Sequence, residues 1–241
     1  MKKLGFTLSE VLITVGILGV VSAMTMPVLM NDYQEKAEVT RARKVVTELE
    51  SAFDMYMTQK NIKSISASDD LIKDFVGTSL KTAKPCGNAT GCFASTNYKS
   101  FDGSKSAKFE CSGNAYLLAN SAAICLTKQS ALIKNPIELV IDTNGPDKPN
   151  VGGKDMFRMY IDKKGEFTGF SLITYAVDSE TKEIPGLKGA SCTGSKFGDY
   201  CYSLLQANNF KRVYDDAKIY MLDLKKEYVQ QQATKQEPLT F

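Results

Sequence analysis

The sequence predicts an α+β protein: one long N-terminal helix whose second half packs on a small antiparallel sheet. Three observations predict it. The chain opens with an apolar run from Phe6 to Met30. A stripe of apolar residues at helical spacing follows, and no Gly or Pro interrupts Val28 to Lys60. Short β-type runs separated by turn residues come after the helix, the order of an α+β fold.

The helix is justified first. Ala42, Val45, Val46, Leu49, Ala52, Phe53 and Tyr56 recur at three- and four-residue spacing, with charged residues on the remaining faces. A single helix is therefore expected from near Phe6 to near Lys60, kinked at Pro27, which has no amide hydrogen to donate. At 1.5 Å per residue it spans about 80 Å. A domain of this size cannot cover all of it, so the first half needs lipid or other subunits. The stripe within residues 31–60 is expected to pack on the domain.

Ser68, followed by Asp69 and Asp70 and then by Leu71, Ile72, Phe75 and Val76, has the form of a capped short helix. Residues 81–106 are rich in Gly, Ser, Thr and Asn and are expected to form a loop. Strands are expected at Tyr116–Ala119 and Ala122–Leu126 around Asn120-Ser121, at Ile137–Ile141, and at Met156–Ile161 and Glu166–Ile173 around Lys163-Lys164-Gly165. Residues 199–210 suit a short helix, Tyr214–Gln231 a second surface helix, and the last residues a loose tail. No internal repeat is present.

Composition narrows the function. In 241 residues the net charge is +3, with Lys and Arg scattered among acids. No concentrated basic patch points to nucleic acid. There is no His, which removes the commonest general base and transition-metal ligand at neutral pH. No nucleophile elbow, phosphate loop or metal triad is found. The six Cys, at 86, 92, 111, 125, 192 and 201, form no CxxC pair and all lie beyond the apolar run. That placement favours disulfides in an oxidising compartment over buried free thiols. Six Cys allow about 15 connectivities. The expected pairing is sequential, Cys86–Cys92, Cys111–Cys125 and Cys192–Cys201, because short loops close at low entropic cost and each pair brackets a turn-like stretch.

The apolar run carries one anomaly, Glu10. A secretory signal would explain Lys2, Lys3 and a Val21-Ser22-Ala23 cleavage site, but not a carboxylate in the apolar core. A plain anchor of this length would span a membrane, with the lysines cytoplasmic, and again leaves Glu10 unexplained. The acid there costs a few kcal/mol and calls for a function. Lys-Lys-Leu-Gly-Phe-Thr-Leu-Ser-Glu, followed by VLITVGILGVVSAMTMP, resembles the leader of type IV pilins and type II secretion pseudopilins. The resemblance is strong over Lys2–Pro27 and weakens beyond.

The resemblance implies cleavage by prepilin peptidase between Gly5 and Phe6, N-methylation of Phe6, and pairing of Glu10 with the Phe6 amine of a neighbouring subunit. A lone charge in a dry filament core is expensive and a matched pair is tolerated, so Glu10 would set subunit register. It also implies a leader over residues 1–5, a transmembrane assembly half over 6–30, and a pilin-like globular domain over 31–241. The implied function is that of a pilus or pseudopilus subunit rather than an enzyme. Its partners would be other pilin or pseudopilin subunits, an inner-membrane assembly platform and lipid before assembly. Its location would be the inner membrane, single-pass, with the domain in the periplasm or outside. Cys192–Cys201 resembles the C-terminal disulfide loop of pilins, although nearly forty residues follow it. The alternative is a membrane-anchored extracytoplasmic enzyme or binding domain.

One stretch suggests a cofactor. IDTNGPDKPNVGGKDMF gathers Asp142, Asn144, Asp147, Asn150 and Asp155, the oxygen ligands that calcium takes from flexible loops. The resemblance adds to this, since some pseudopilins hold calcium in a comparable loop. No glutamate closes an EF-hand spacing. The plainer reading, a turn built by Asn, Gly, Pro and Asp, is preferred. The calcium candidates are Asp142, Asn144, Asp147 and Asp155, and no other cofactor is expected.

Overall fold

The computed structural model describes residues 7–80, 84–87, 91–129, 136–169 and 191–214. It resolves into two compact units, Met1–Ala37 and Glu38–Phe241. Helix α1, Leu8–Gln59, begins in the first unit and ends in the second, and Pro27 lies inside it. In the first unit every described side chain up to Pro27 is exposed.

The second unit is a helix-and-sheet domain, the α+β class the sequence predicts. Its elements are α2 (Asp69–Ser79), the strands β1 (Lys84–Pro85), β2 (Tyr98–Lys99), β3 (Ser106–Ala107), β4 (Asn114–Leu117), β5 (Ala123–Lys128), β6 (Ile137–Asp142), β7 (Met156–Ile161) and β8 (Phe167–Gly169), and helix α3 (Cys201–Ala207). One antiparallel sheet runs β1-β4-β5-β6-β7-β8, and β2 pairs with β3.

Strand register explains the core. Ile124 faces Ile141 and Leu126 faces Leu139 across β5 and β6. Ile141, Leu139 and Ile137 then face Phe157, Met159 and Ile161 across β6 and β7. Side chains alternate between faces, so these residues share one face. They join the buried stripe Val39, Ala42, Val45, Val46, Leu49, Ala52, Phe53 and Tyr56 of α1 in one cluster. Phe53 anchors it, with its ring 4.8 Å from Phe75 of α2 and 6.0 Å from Phe167 of β8. The opposite face carries Ala123, Cys125, Val140 and Met156 and is covered by Cys92, Phe93, Tyr98 and Phe109. With both faces buried, β5 to β7 read as nearly continuous apolar runs rather than alternating ones.

Polar ties fix the surrounding elements. Ser68 caps α2, accepting from the amides of Asp70 and Leu71. The Tyr56 hydroxyl donates to Asp74 at 2.9 Å, joining α1 to α2. Asn120, in the β4–β5 turn, donates to Glu48 of α1 at 2.9 Å. At Gly169 an added Cβ would sit 1.6 Å from the Ser203 hydroxyl, so α3 packs on β8 at a distance only glycine permits.

Several boundaries move. The β4–β5 hairpin opens wider than expected, because Leu118 N–H donates to Ala122 C=O and Ser121 takes a positive φ between them. The expected 81–106 loop contains β1, β2 and the start of β3: its backbone pairs with β4, with itself and with the 150–152 segment. Only Phe167–Gly169 of the expected Glu166–Ile173 strand is assigned to β8, and residues 170–173 lie outside the described residues. The expected Tyr214–Gln231 helix and the tail also lie outside them, apart from Tyr214.

Phe53→Ala is expected to lower the unfolding free energy of the second unit by about 3–5 kcal/mol, through lost burial and the cavity left behind. Val20→Ala, exposed in the first unit, is expected to leave that transition in place. Thermal melts followed by near-UV circular dichroism measure both.

Candidate functional site

The first unit supplies the main candidate. Along α1, Leu8 is 82% exposed and Leu12, Ile13, Val15, Ile17, Leu18, Val20, Val21, Met24 and Met26 are also exposed. By length and composition this helix can cross a membrane. A helix face this apolar that buries nothing against the described residues suits a cover of lipid or of other molecules. Within the membrane, helical backbone satisfies its own polar groups. Two threonines do likewise: Thr14 donates to Val11 C=O at 2.9 Å and Thr25 to Val21 C=O at 3.0 Å.

Glu10 is placed at the start of this helix. Its carboxylate accepts from both the backbone N–H and the hydroxyl of Thr7, each at 2.8 Å. The Glu10 amide donates back to the Thr7 hydroxyl at 3.3 Å. This is a reciprocal capping box, in which two otherwise unpaired groups of the first turn satisfy each other. The helix dipole also favours an anion here. The sequence reading missed Thr7, although the Thr7-x-x-Glu10 spacing carries the capping-box signal. Gly5 and Phe6 lie outside the described residues.

The second candidate is the loop between β6 and β7. Asp142 and Asp155 are both buried. Asp142 accepts from the Tyr98 hydroxyl and from the Asn144 amide. Asp155 accepts from the amides of Asn150 at 2.6 Å and Val151 at 2.7 Å. Burial raises both carboxyl pKa values, and Asp155 raises that of Asp142 further. Burial and then the Asp142 charge push the Tyr98 phenol up in turn. The Asn144 side-chain amide donates to the carbonyls of Asp147 and Lys148. The side-chain oxygens of Asn144 and Asn150 are buried and accept nothing among the described residues. Asp147 is exposed, so its carboxyl stands apart from the buried pair. Among the described residues no group of three or more His, Cys, Asp or Glu could hold a metal ion.

All six Cys are paired: Cys86–Cys92, Cys111–Cys125 and Cys192–Cys201. The second bond ties the segment before β4 to the middle of β5. The third closes the stretch leading into α3, where Gly198 takes φ +72 and its missing side chain leaves room for the Met156 carbonyl.

Residues 1–26 match the family described as the prokaryotic N-terminal methylation motif. Over 60 residues, 25% of this chain, the sequence is 40% identical to Type II secretion system core protein G of Pectobacterium carotovorum subsp. carotovorum. It is 38% identical over 60 residues to Type II secretion system core protein G of Aeromonas hydrophila. The chain spans 38% and 41% of the length of these relatives. No solved structure matches the chain. Over the residues they match, the methylation motif and these two relatives support a likeness to the type IV pilin-like, pseudopilin family.

Proposed function

We propose that the chain is a structural subunit of a type IV pilus-like filament or a type II secretion pseudopilus, and not an enzyme. The observation that carries this is the apolar first part of α1, exposed along its length up to Pro27, with one carboxylate near its start, in a segment that matches the methylation motif. In this reading prepilin peptidase cuts between Gly5 and Phe6, and Phe6 is N-methylated. The processed subunit waits in the inner membrane, with its domain on the far side, until an assembly platform extracts it. Neighbouring helices then cover one another's apolar surface.

Glu10 has two partners to choose between. In the single chain Thr7 occupies its carboxylate. In the filament the Phe6 amine of a neighbour would add an opposite charge where water is excluded. A matched pair there is tolerated and an unmatched charge is costly, which selects the register in which the two meet.

Mass spectrometry of the membrane-extracted protein is expected to show an N-terminal methyl-Phe6, and Gly5→Asp is expected to leave residues 1–5 attached. An intact Met1 on the natural protein would refute processing. Glu10→Gln, which keeps the size and the Thr7 contact but removes the charge, is expected to cut filament yield by about tenfold or more, consistent with losing a desolvated charge pair. Electron microscopy of sheared filaments reads this directly.

For the β6–β7 loop we infer a calcium site formed by Asp142, Asn144, Asn150 and Asp155, with Asp147 outside it. Its support is two buried carboxylates with no cationic hydrogen-bond partner among the described residues, beside two amide oxygens that accept nothing. Calcium would neutralise the acid pair and fix the loop. These residues offer only oxygen, the donor a hard cation takes. Saturating calcium is then expected to raise the melting temperature by about 5 °C or more, and Asp155→Asn to abolish the rise. No shift, with no calcium retained in equilibrium dialysis, removes the ion from the account.

A further inference from the structure

The side of α1 turned away from the buried stripe in the second unit carries charges that find little or no ionic partner among the described residues. At about 100° per residue Arg41 lies on one flank of the buried stripe and Glu50 on the other, with Lys44 beyond Arg41 and Asp54 beyond Glu50 toward the side opposite the stripe, and Glu48 falls between Arg41 and Lys44. Among the described residues Arg41, Glu50 and Asp54 enter no ion pair, and Lys44 meets only Glu48, at 3.8 Å, with both side chains more than half exposed. An exposed pair of that kind contributes little. Glu48 also accepts from Asn120. Arg43, which shares the acidic flank, stacks over Phe210 at 4.6 Å. Glu50 and Asp54 are like charges four residues apart, an arrangement that destabilises a helix when nothing offsets it. Burial first, and Asp54 second, push the Glu50 carboxyl up.

We propose that these two flanks are the opposite sides of a contact between copies of this chain, in which Arg41 and Lys44 of one subunit meet Glu50 and Asp54 of the next. The proposal rests on the filament reading and deepens it. Two features select the occupant. First, the flanks differ in charge, so a two-fold contact would set each flank against its own kind, whereas a head-to-tail contact joins unlike flanks and propagates. Second, the spacing is consistent along the helix. Arg41 to Glu50 is nine residues and Lys44 to Asp54 is ten, so one parallel shift of about 14 Å aligns both pairs. The exposed Thr47 and Ser51 between them have short side chains that permit close approach. The charges would set the axial step of the domains.

The test is zero-length carbodiimide crosslinking of filaments assembled from a mixture of ordinary and nitrogen-15-labelled full-length chains. Within one chain Lys44 and Asp54 are about 15 Å apart along one helix, too far for a direct amide bond. A Lys44–Asp54 crosslink between labelled and unlabelled peptides is the expected result. Asp54→Lys is expected to lower filament yield by about tenfold, and Lys44→Glu with Asp54→Lys to restore it, because the pair is re-formed with reversed sign. Wild-type filaments that lack the crosslink and tolerate Asp54→Lys overturn the proposal while leaving assembly intact. No filaments from any variant, wild type included, overturns the filament reading itself.

Discussion

The second unit depends on one contact, the apolar stripe of α1 laid against one face of the antiparallel sheet. Val39 to Tyr56 supplies the helix side, and Ile124, Leu139, Phe157 and their neighbours supply the sheet side. Each fully buried side chain of this kind contributes about 1.5–3 kcal/mol relative to exposure. Strands β5, β6 and β7 lie within the sheet, and all three turn Ile, Leu, Met or Phe side chains to that face. A one-residue slip in register would turn Ile141 and Leu139 away from the helix and bring Val140 and Glu138 toward it. The stripe therefore fixes register as well as stability.

A second layer depends on the first. Because the helix covers only one face, the other must be closed by the segment that carries Cys86, Cys92, Phe93, Tyr98 and Phe109. Little regular structure is available there, and the disulfides and the rings supply what strands do elsewhere. Phe93 lies 4.6 Å from Phe109, and Phe109 lies 5.3 Å from Phe197. Asp142 and Asp155 join this layer from beneath, holding Tyr98 and the backbone at Asn150 and Val151. The same carboxyls hold the loop by accepting donors, and burial disfavours their charge unless a cation offsets it, so their structural part and their proposed ion are linked.

The first half of α1 follows a different rule. Its residues are as apolar as those of the stripe, but the apolar character runs all round the helix. A helix of that kind has no preferred side toward its own domain and suits an environment that surrounds it. Glu10 is the one acid between Leu8 and Met30, and Thr7 satisfies it locally. The two Thr7 donors satisfy this carboxylate within its own chain.

The sequence by itself determined the helix, its stripe, the β-type runs and the N-terminal methylation motif, because each is a local pattern of period or spacing. Ser68 as a cap and the apolar identity of Ile137–Ile141 were legible for that reason. The tertiary structure decided the rest. That β1 and β2 arise in a Gly- and Ser-rich stretch depends on partners distant in the chain, Leu117 and Tyr116 for β1 and Val151 for β2, and β3 follows by pairing with β2. That Asp142 and Asp155 are buried while Asp147 is exposed depends on which side of one loop meets Tyr98. Spacing along the chain lists the acids, but only the fold removes two of them from water, and that removal gives them their chemistry.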